Sequence, residues 1–104
     1  MAQKITNASS RSAAKVDPHR LRLYVAGFGP RSLRAVQNVK RICESELAGH
    51  YALEVIDIYK EPQRLQEDRI IAIPTLIKHA PGLERRMVGD MSQTTLLRHG
   101  LDLR

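Results

Sequence analysis

The sequence predicts a single α/β domain, and three observations carry that prediction. Arg20-Leu21-Arg22-Leu23-Tyr24-Val25-Ala26 alternates polar and apolar side chains before Gly27, the pattern of a strand with one buried face. Leu33, Val36, Val39, Ile42, Cys43 and Leu47 then recur at threes and fours with charges between them, which predicts an amphipathic helix ending near Gly49. Tyr51-Ala52-Leu53-Glu54-Val55-Ile56-Asp57-Ile58 is rich in β-branched and aromatic residues, and the intervening helix is long enough to serve as a crossover between two parallel strands.

At 104 residues the chain is long enough for one core and too short for two. Residues 1–18 carry Ser, Ala, Lys and Asn without periodicity and end at Asp17-Pro18, which predicts a flexible basic tail ahead of a domain spanning 19–104. After the βαβ unit, Glu61-Pro62 offers a helix start, with Leu65, Arg69, Ile70 and Ile71 giving a short helix one apolar side. Ile70-Ile71-Ala72-Ile73-Pro74-Thr75-Leu76-Ile77 is strand-like apart from Pro74, which lacks a ladder donor and so implies an edge, a bend or a cis bond. Pro81-Gly82 marks a turn, Arg86 to Asp90 returns antiparallel, and Ser92 caps a last helix through Leu96, Leu97 and Leu101. The resulting order, β-α-β-α-β-β-α, is that of a thioredoxin-like domain.

Composition narrows function. No run approaches the length of a membrane span and the N-terminus lacks the apolar stretch of a secretory signal, which predicts a cytoplasmic protein without a membrane partner. The formal charge of +6 is divided, with Lys4, Arg11, Lys15 and Arg20 against Asp17 placing half of it in residues 1–20. The four aromatic residues Tyr24, Phe28, Tyr51 and Tyr59 are not interleaved with a dense basic stripe, so specific nucleic-acid binding is not expected.

Enzymatic signatures are weak. A thioredoxin-like oxidoreductase holds its cysteine in the turn after the first strand, but that turn here reads Phe28-Gly29-Pro30-Arg31-Ser32. Cys43 is the single cysteine and lies inside the helix among apolar neighbours, as a small core residue would. Ser32 reads as a helix cap. His19, His50, His79 and His99 lack the spacing of a metal set and read as solvated or turn histidines. The adjacent carboxylates Glu67 and Asp68 point to different faces of a helix and read as a solvated acidic surface. Gly27-Phe28-Gly29 matches no complete phosphate-binding loop. No catalytic residue, metal or cofactor is predicted.

From Leu21 onward the sequence resembles the KaiB family of the bacterial circadian oscillator. The resemblance is carried by Leu23-Tyr24-Val25-Ala26-Gly27 with Pro30 and Ser32, Tyr51 to Asp57, Ile73-Pro74-Thr75-Leu76, Arg85-Arg86-Met87-Val88-Gly89-Asp90 and Gly100-Leu101-Asp102-Leu103. It implies a metamorphic protein with a tetrameric ground-state fold and a thioredoxin-like monomer that binds KaiC. It further implies a KaiC-type hexameric ATPase as partner, with a KaiA-type protein or a sensor kinase as further partners and a homodimer or tetramer as assembly. By resemblance, Arg34, Lys78, Arg85 and Arg86 stand at partner-contact positions, and Gly100 and Asp102 at fold-switch positions where substitutions favour the thioredoxin-like state. Read without the resemblance, the four basic residues are solvated surface and Gly100 frays or caps a terminal helix, where glycine costs about 1 kcal/mol relative to alanine.

The chain departs from the family in its longer basic segment before Leu21, in lacking an acidic C-terminal extension, in Pro81-Gly82-Leu83 replacing a proline-rich turn, and in His19 replacing an aromatic residue. That last change predicts a chain that rests in the thioredoxin-like form. Three functions follow: a non-enzymatic regulator of a KaiC-type ATPase's phosphorylation state and partner binding, a clock-independent signalling or stress adaptor, and a thioredoxin-like oxidoreductase dependent on Cys43.

Overall fold

The computed structural model describes residues 3–6 and 18–103. The elements are β1 (Gln3–Thr6), β2 (His19–Val25), α1 (Pro30–Glu46), β3 (Tyr51–Asp57), α2 (Gln63–Glu67), β4 (Thr75–Ala80), β5 (Arg85–Val88) and α3 (Thr94–Gly100). The sheet order is β1-β3-β2-β4-β5. β2 and β3 are parallel, with Leu21 opposite Leu53 and Leu23 opposite Val55, while β4 runs antiparallel to β2 and β5 antiparallel to β4. From β2 onward this is the thioredoxin-like β-α-β-α-β-β-α order that the sequence predicts.

Strand alternation sends side chains to two faces of unequal burial. One face carries Leu21, Leu23, Val25, Leu53 and Leu76, and packs against Ala35, Val39, Ile42 and Cys43 of α1 and Leu97 of α3. The other carries the smaller cluster of Tyr24, Ile56 and Ile77, flanked by Ile58, Ile70 and Ile73. Burying a leucine fully contributes on the order of 2 kcal/mol, so the first face holds most of the apolar stabilisation.

Several local expectations change. Gln3–Thr6 is a strand inside the segment read as a flexible tail, pairing antiparallel with β3; residues 7–17 of that segment lie outside the described residues. The inward stripe of α1 runs through Ser32 and Ala35, and Leu33 is 42% exposed. Ser32 is not the cap: Gly29 is, Pro30 opens the helix, and the Ser32 hydroxyl sits 3.3 Å from both the Ala26 amide and carbonyl, tying helix to strand. Nor does Ser92 cap α3; Gln93 holds that position, and the Ser92 amide donates to Asp90 at 3.0 Å.

The strand expected from Ile70 begins only at Thr75. Arg69 is left-handed (φ 53°), Ile71 is 98% exposed, and Thr75 Oγ1 donates back to the Ala72 carbonyl at 2.6 Å, closing a turn before the ladder starts. Pro74 lies just outside β4, an inner strand, and the Ile73–Pro74 bond is cis.

Candidate partner-binding groove

At the β5 edge, β5, the first turns of α1 and the length of α3 enclose a groove of ≈ 610 Å3. Met87, Met91, Leu97 and Gly100 give it an apolar floor, and Arg31, Arg34, Arg85 and Arg86 line it with guanidinium groups. The strand pattern explains the double arginine. Neighbours on a strand point to opposite faces, yet on an edge strand both still border the same opening.

Three of these four arginines are steered by carboxylates. Arg34 Nε lies 3.2 Å from Asp90 Oδ2, Arg85 Nε 3.1 Å from Asp102 Oδ1, and Arg86 Nε 3.0 Å from Glu84 Oε2. These pairs are part-exposed, so they orient the side chains more than they stabilise the fold. Hydrogen bonds from the Ser92 hydroxyl and amide hold the Asp90 carboxyl below the usual range, with Arg34 adding to the effect.

Lys78 is placed differently. Its side chain is 0% exposed, and Nζ donates to Asp102 Oδ2 at 2.9 Å and to the Pro81 carbonyl. A buried ammonium must be paired, and Asp102 supplies the counter-charge. Neither a solvated lysine nor a surface contact describes Lys78 in this fold. The bond from Lys78, more than the nearby charges of Lys78 and Arg85, keeps the Asp102 carboxyl below its ordinary value.

Asp102 also ends α3. It is left-handed (φ 61°), its amide reaches the His99 carbonyl at 3.0 Å, and the Leu103 amide reaches the Arg98 carbonyl at 2.8 Å. This is the paired 6→1 and 5→2 hydrogen bonding of a Schellman termination, with aspartate where glycine is usual. Gly100 neither frays nor caps: it is buried because Met87 lies on it, and an added Cβ would stand 2.9 Å from Met87 Cγ and nearer still to Sδ. His19, expected as solvated or in a turn, fastens the same corner by donating from Nε2 to the Leu101 carbonyl at 2.8 Å. The two resemblance-derived switch positions therefore meet Met87 and Lys78 directly.

The opposite face holds a charge network that sequence reading missed. Asp68 is not part of a solvated acidic surface; it accepts from Arg22 at 2.8 Å and from the Tyr24 hydroxyl. Glu54 pairs with Arg22 at 3.5 Å and with Arg64 at 3.3 Å, and Arg64 also reaches Glu61 at 3.2 Å. Burial and the bond to Asp68 push the Tyr24 phenol up to about 12. Burial opposes ionisation of Asp68, but the bonds from Tyr24 and Arg22 outweigh it and hold its carboxyl low. The polar alternation Arg20, Arg22, Tyr24 on one strand face was the available signal, since such residues facing inward need partners.

Thiol chemistry lacks a site. Cys43 is fully buried and burial pushes its thiol up to about 12. Among the described residues, no group of three or more His, Cys, Asp or Glu side chains stands in position to hold a metal, and no helix is long and apolar enough to cross a membrane.

A family model described as the KaiB domain matches residues 22–103. Circadian clock oscillator protein KaiB of Prochlorococcus marinus subsp. pastoris is 51% identical over 83 residues, covering 80% of this chain and 78% of the relative. Circadian clock protein KaiB3 of Synechocystis is 45% identical over the same span, 81% of its own length. Among solved structures, the N-terminal domain of Synechococcus elongatus SasA matches with a TM-score of 0.67 at 30% identity, covering 84% of this chain and 86% of that one. Trxlp from Edwardsiella tarda matches with a TM-score of 0.68 at 20% identity over 96% of each chain, a likeness of fold alone.

Proposed function

The chain belongs to the KaiB family, and from that premise we propose that it is a non-enzymatic, cytoplasmic, circadian-clock-type regulator that docks on a KaiC-type hexameric ATPase and modulates its phosphorylation state and partner binding. The observation that carries this reading is the β5-edge groove, where Arg34, Arg85 and Arg86 border an apolar floor. Such a surface fits an acidic, partly apolar segment: the guanidinium groups steer and orient the carboxylates, and Met87 and Leu97 supply the contact that excludes water. Lys78 acts from inside, by holding the Asp102 carboxylate that orients Arg85. A KaiA-type protein is a further partner in this reading, and Gly100 and Asp102 set the balance between the two folds.

The second reading is a clock-independent signalling or stress adaptor, which would dock a different acidic partner through the same groove. An oxidoreductase is the weakest reading, because the one thiol is buried and hard to ionise.

The deciding experiment is co-elution of the purified chain with the KaiC-type hexamer of the same organism after incubation with ATP. A complex that Arg34→Glu and Arg86→Glu each weaken at least tenfold is the expected result. No complex at any incubation time transfers the weight to the adaptor. A complex indifferent to both charge reversals places the contact elsewhere on the molecule.

A further inference from the structure

Met87 lies at the seam between the sheet and α3. Its cross-strand partner on β4 is the buried Leu76, so the side chain faces the α1 and α3 side, where it packs on the larger apolar cluster and forms part of the groove floor. Met87 is only partly buried, whereas Met91, which lines the same groove, is 6% exposed. Two thioethers thus share one opening and differ in access.

The seat of Met87 suits an apolar group alone. Gly100 has no side chain at the contact, and the space a Cβ would need there is taken by Met87 Cγ, Sδ and Cε. The helix offers that sulfur no free donor nearby, because the Leu97 amide donates to the Gln93 carbonyl and the Leu101 amide to the Leu97 carbonyl, each at 3.0 Å. An oxygen placed on the sulfur would go unpaired beneath α3, at a cost that drives it out. The side-chain donors of the groove, Arg31, Arg34, Arg85 and Arg86, are exposed or part-exposed and would meet it only outside the seat.

We propose that Met87 is a reversible oxidation site: a peroxide-class oxidant converts its thioether to the sulfoxide, which leaves the seat on Gly100, loosens β5 from α3 and takes away part of the apolar floor. A sulfur lone pair attacks one peroxide oxygen and the O–O bond breaks. The departing hydroxide takes the proton from the transferred oxygen and leaves as water. Sulfur loses two electrons and the peroxide gains two. A methionine sulfoxide reductase reverses the step, two thiols and the sulfoxide giving a disulfide, water and the thioether. The change turns a flexible apolar gap-filler into a polar side chain that must find a donor.

The test uses the full native chain and hydrogen peroxide at neutral pH. Cys43 competes slowly, since it is buried with its thiol pushed up to about 12. Mass spectrometry with peptide fragmentation should find Met87 oxidised about tenfold faster than Met91. The oxidised chain should unfold with an equilibrium constant raised about tenfold, read as a lower urea midpoint, and exchange amides faster over residues 85–100. Reductase with a dithiol should restore both. Met87→Leu, an apolar side chain of similar volume, should make the midpoint insensitive to the same peroxide, and Met87→Ile repeats that arm should Met87→Leu not fold. Equal oxidation rates at Met87 and Met91 overturn the site. An oxidised chain with unchanged midpoint and exchange overturns the loosening, and a Met87→Leu chain that peroxide destabilises as much as the parent places the damage elsewhere and overturns it too. No partner enters these measurements, so their failure is distinct from failure of the docking reading above.

Discussion

Met87 and Gly100 illustrate how much one residue can decide. The Met87 side chain occupies the space where any Cβ at position 100 would go. Gly100→Ala gains roughly 1 kcal/mol of helix propensity but overpacks the contact by about 1–3 kcal/mol. The expected outcome is a lower urea midpoint for the thioredoxin-like state, restored in part by Met87→Ala in a double-mutant cycle. Asp102→Arg would likewise leave Lys78 without its counter-charge and put a third cation beside Arg85. Substitutions that favour the thioredoxin-like state by family resemblance thus remove contacts from it in this chain. In the two-fold reading proposed above, they shift the balance toward it only if the competing fold loses more. A raised midpoint for Gly100→Ala would show that Met87 yields. Cys43 gives a simpler test. Its thiol should stay unreactive toward a disulfide reagent at pH 8 in the folded protein and react within minutes in urea. Fast reaction without denaturant would contradict its burial.

The elements were legible where periodicity is long, and illegible where backbone turns on unusual residues. α1 and the β2–β3 pair follow from seven or more residues of consistent pattern. The ends of α2 and α3 do not, because Arg69 and Asp102 hold the left-handed positions that sequence reading assigns to glycine or asparagine. Both ends carry the same hydrogen bonds: Ile70 to Leu65 at 2.8 Å and Arg69 to Gln66 at 3.2 Å match those at Leu103 and Asp102. That hidden stop is why Ile70 and Ile71 read as strand. The groove was legible as three separate arginines but not as a site, since β5 joins α1 and α3 only through the tertiary fold. Lys78 was misread because nothing local distinguishes a buried lysine.

The α2 end also carries a pH dependence. Burial and then the Arg22 charge lower the His79 pKa below its ordinary 6.5, while hydrogen bonds hold Asp68 below 3.8. The unfolded chain therefore binds more protons at both groups, so stability is fullest above pH 7. It falls as acid protonates His79, and again as the pH drops below 4 through the folded value of Asp68. Asp68→Asn should cost about 1–2 kcal/mol at pH 7 and flatten the lower limb, measured by urea unfolding across pH 3–8. A variant whose curve parallels the parent's would remove Asp68 from this account.

At the scale of the whole molecule, the sheet separates two different kinds of cohesion. One face rests on interlocked apolar side chains from α1 and α3. The other has a smaller apolar cluster around Tyr24, Ile56 and Ile77 and is roofed by α2, a helix with no buried residue, moored to the sheet by Arg64 to Glu54 and by Asp68 to Arg22. Dissolved ions weaken part-exposed charge pairs and leave apolar packing intact or strengthened. The two sides of the protein consequently answer to different properties of the surrounding solution. Rising ionic strength is therefore expected to speed amide exchange over residues 63–69 while leaving α1 protected.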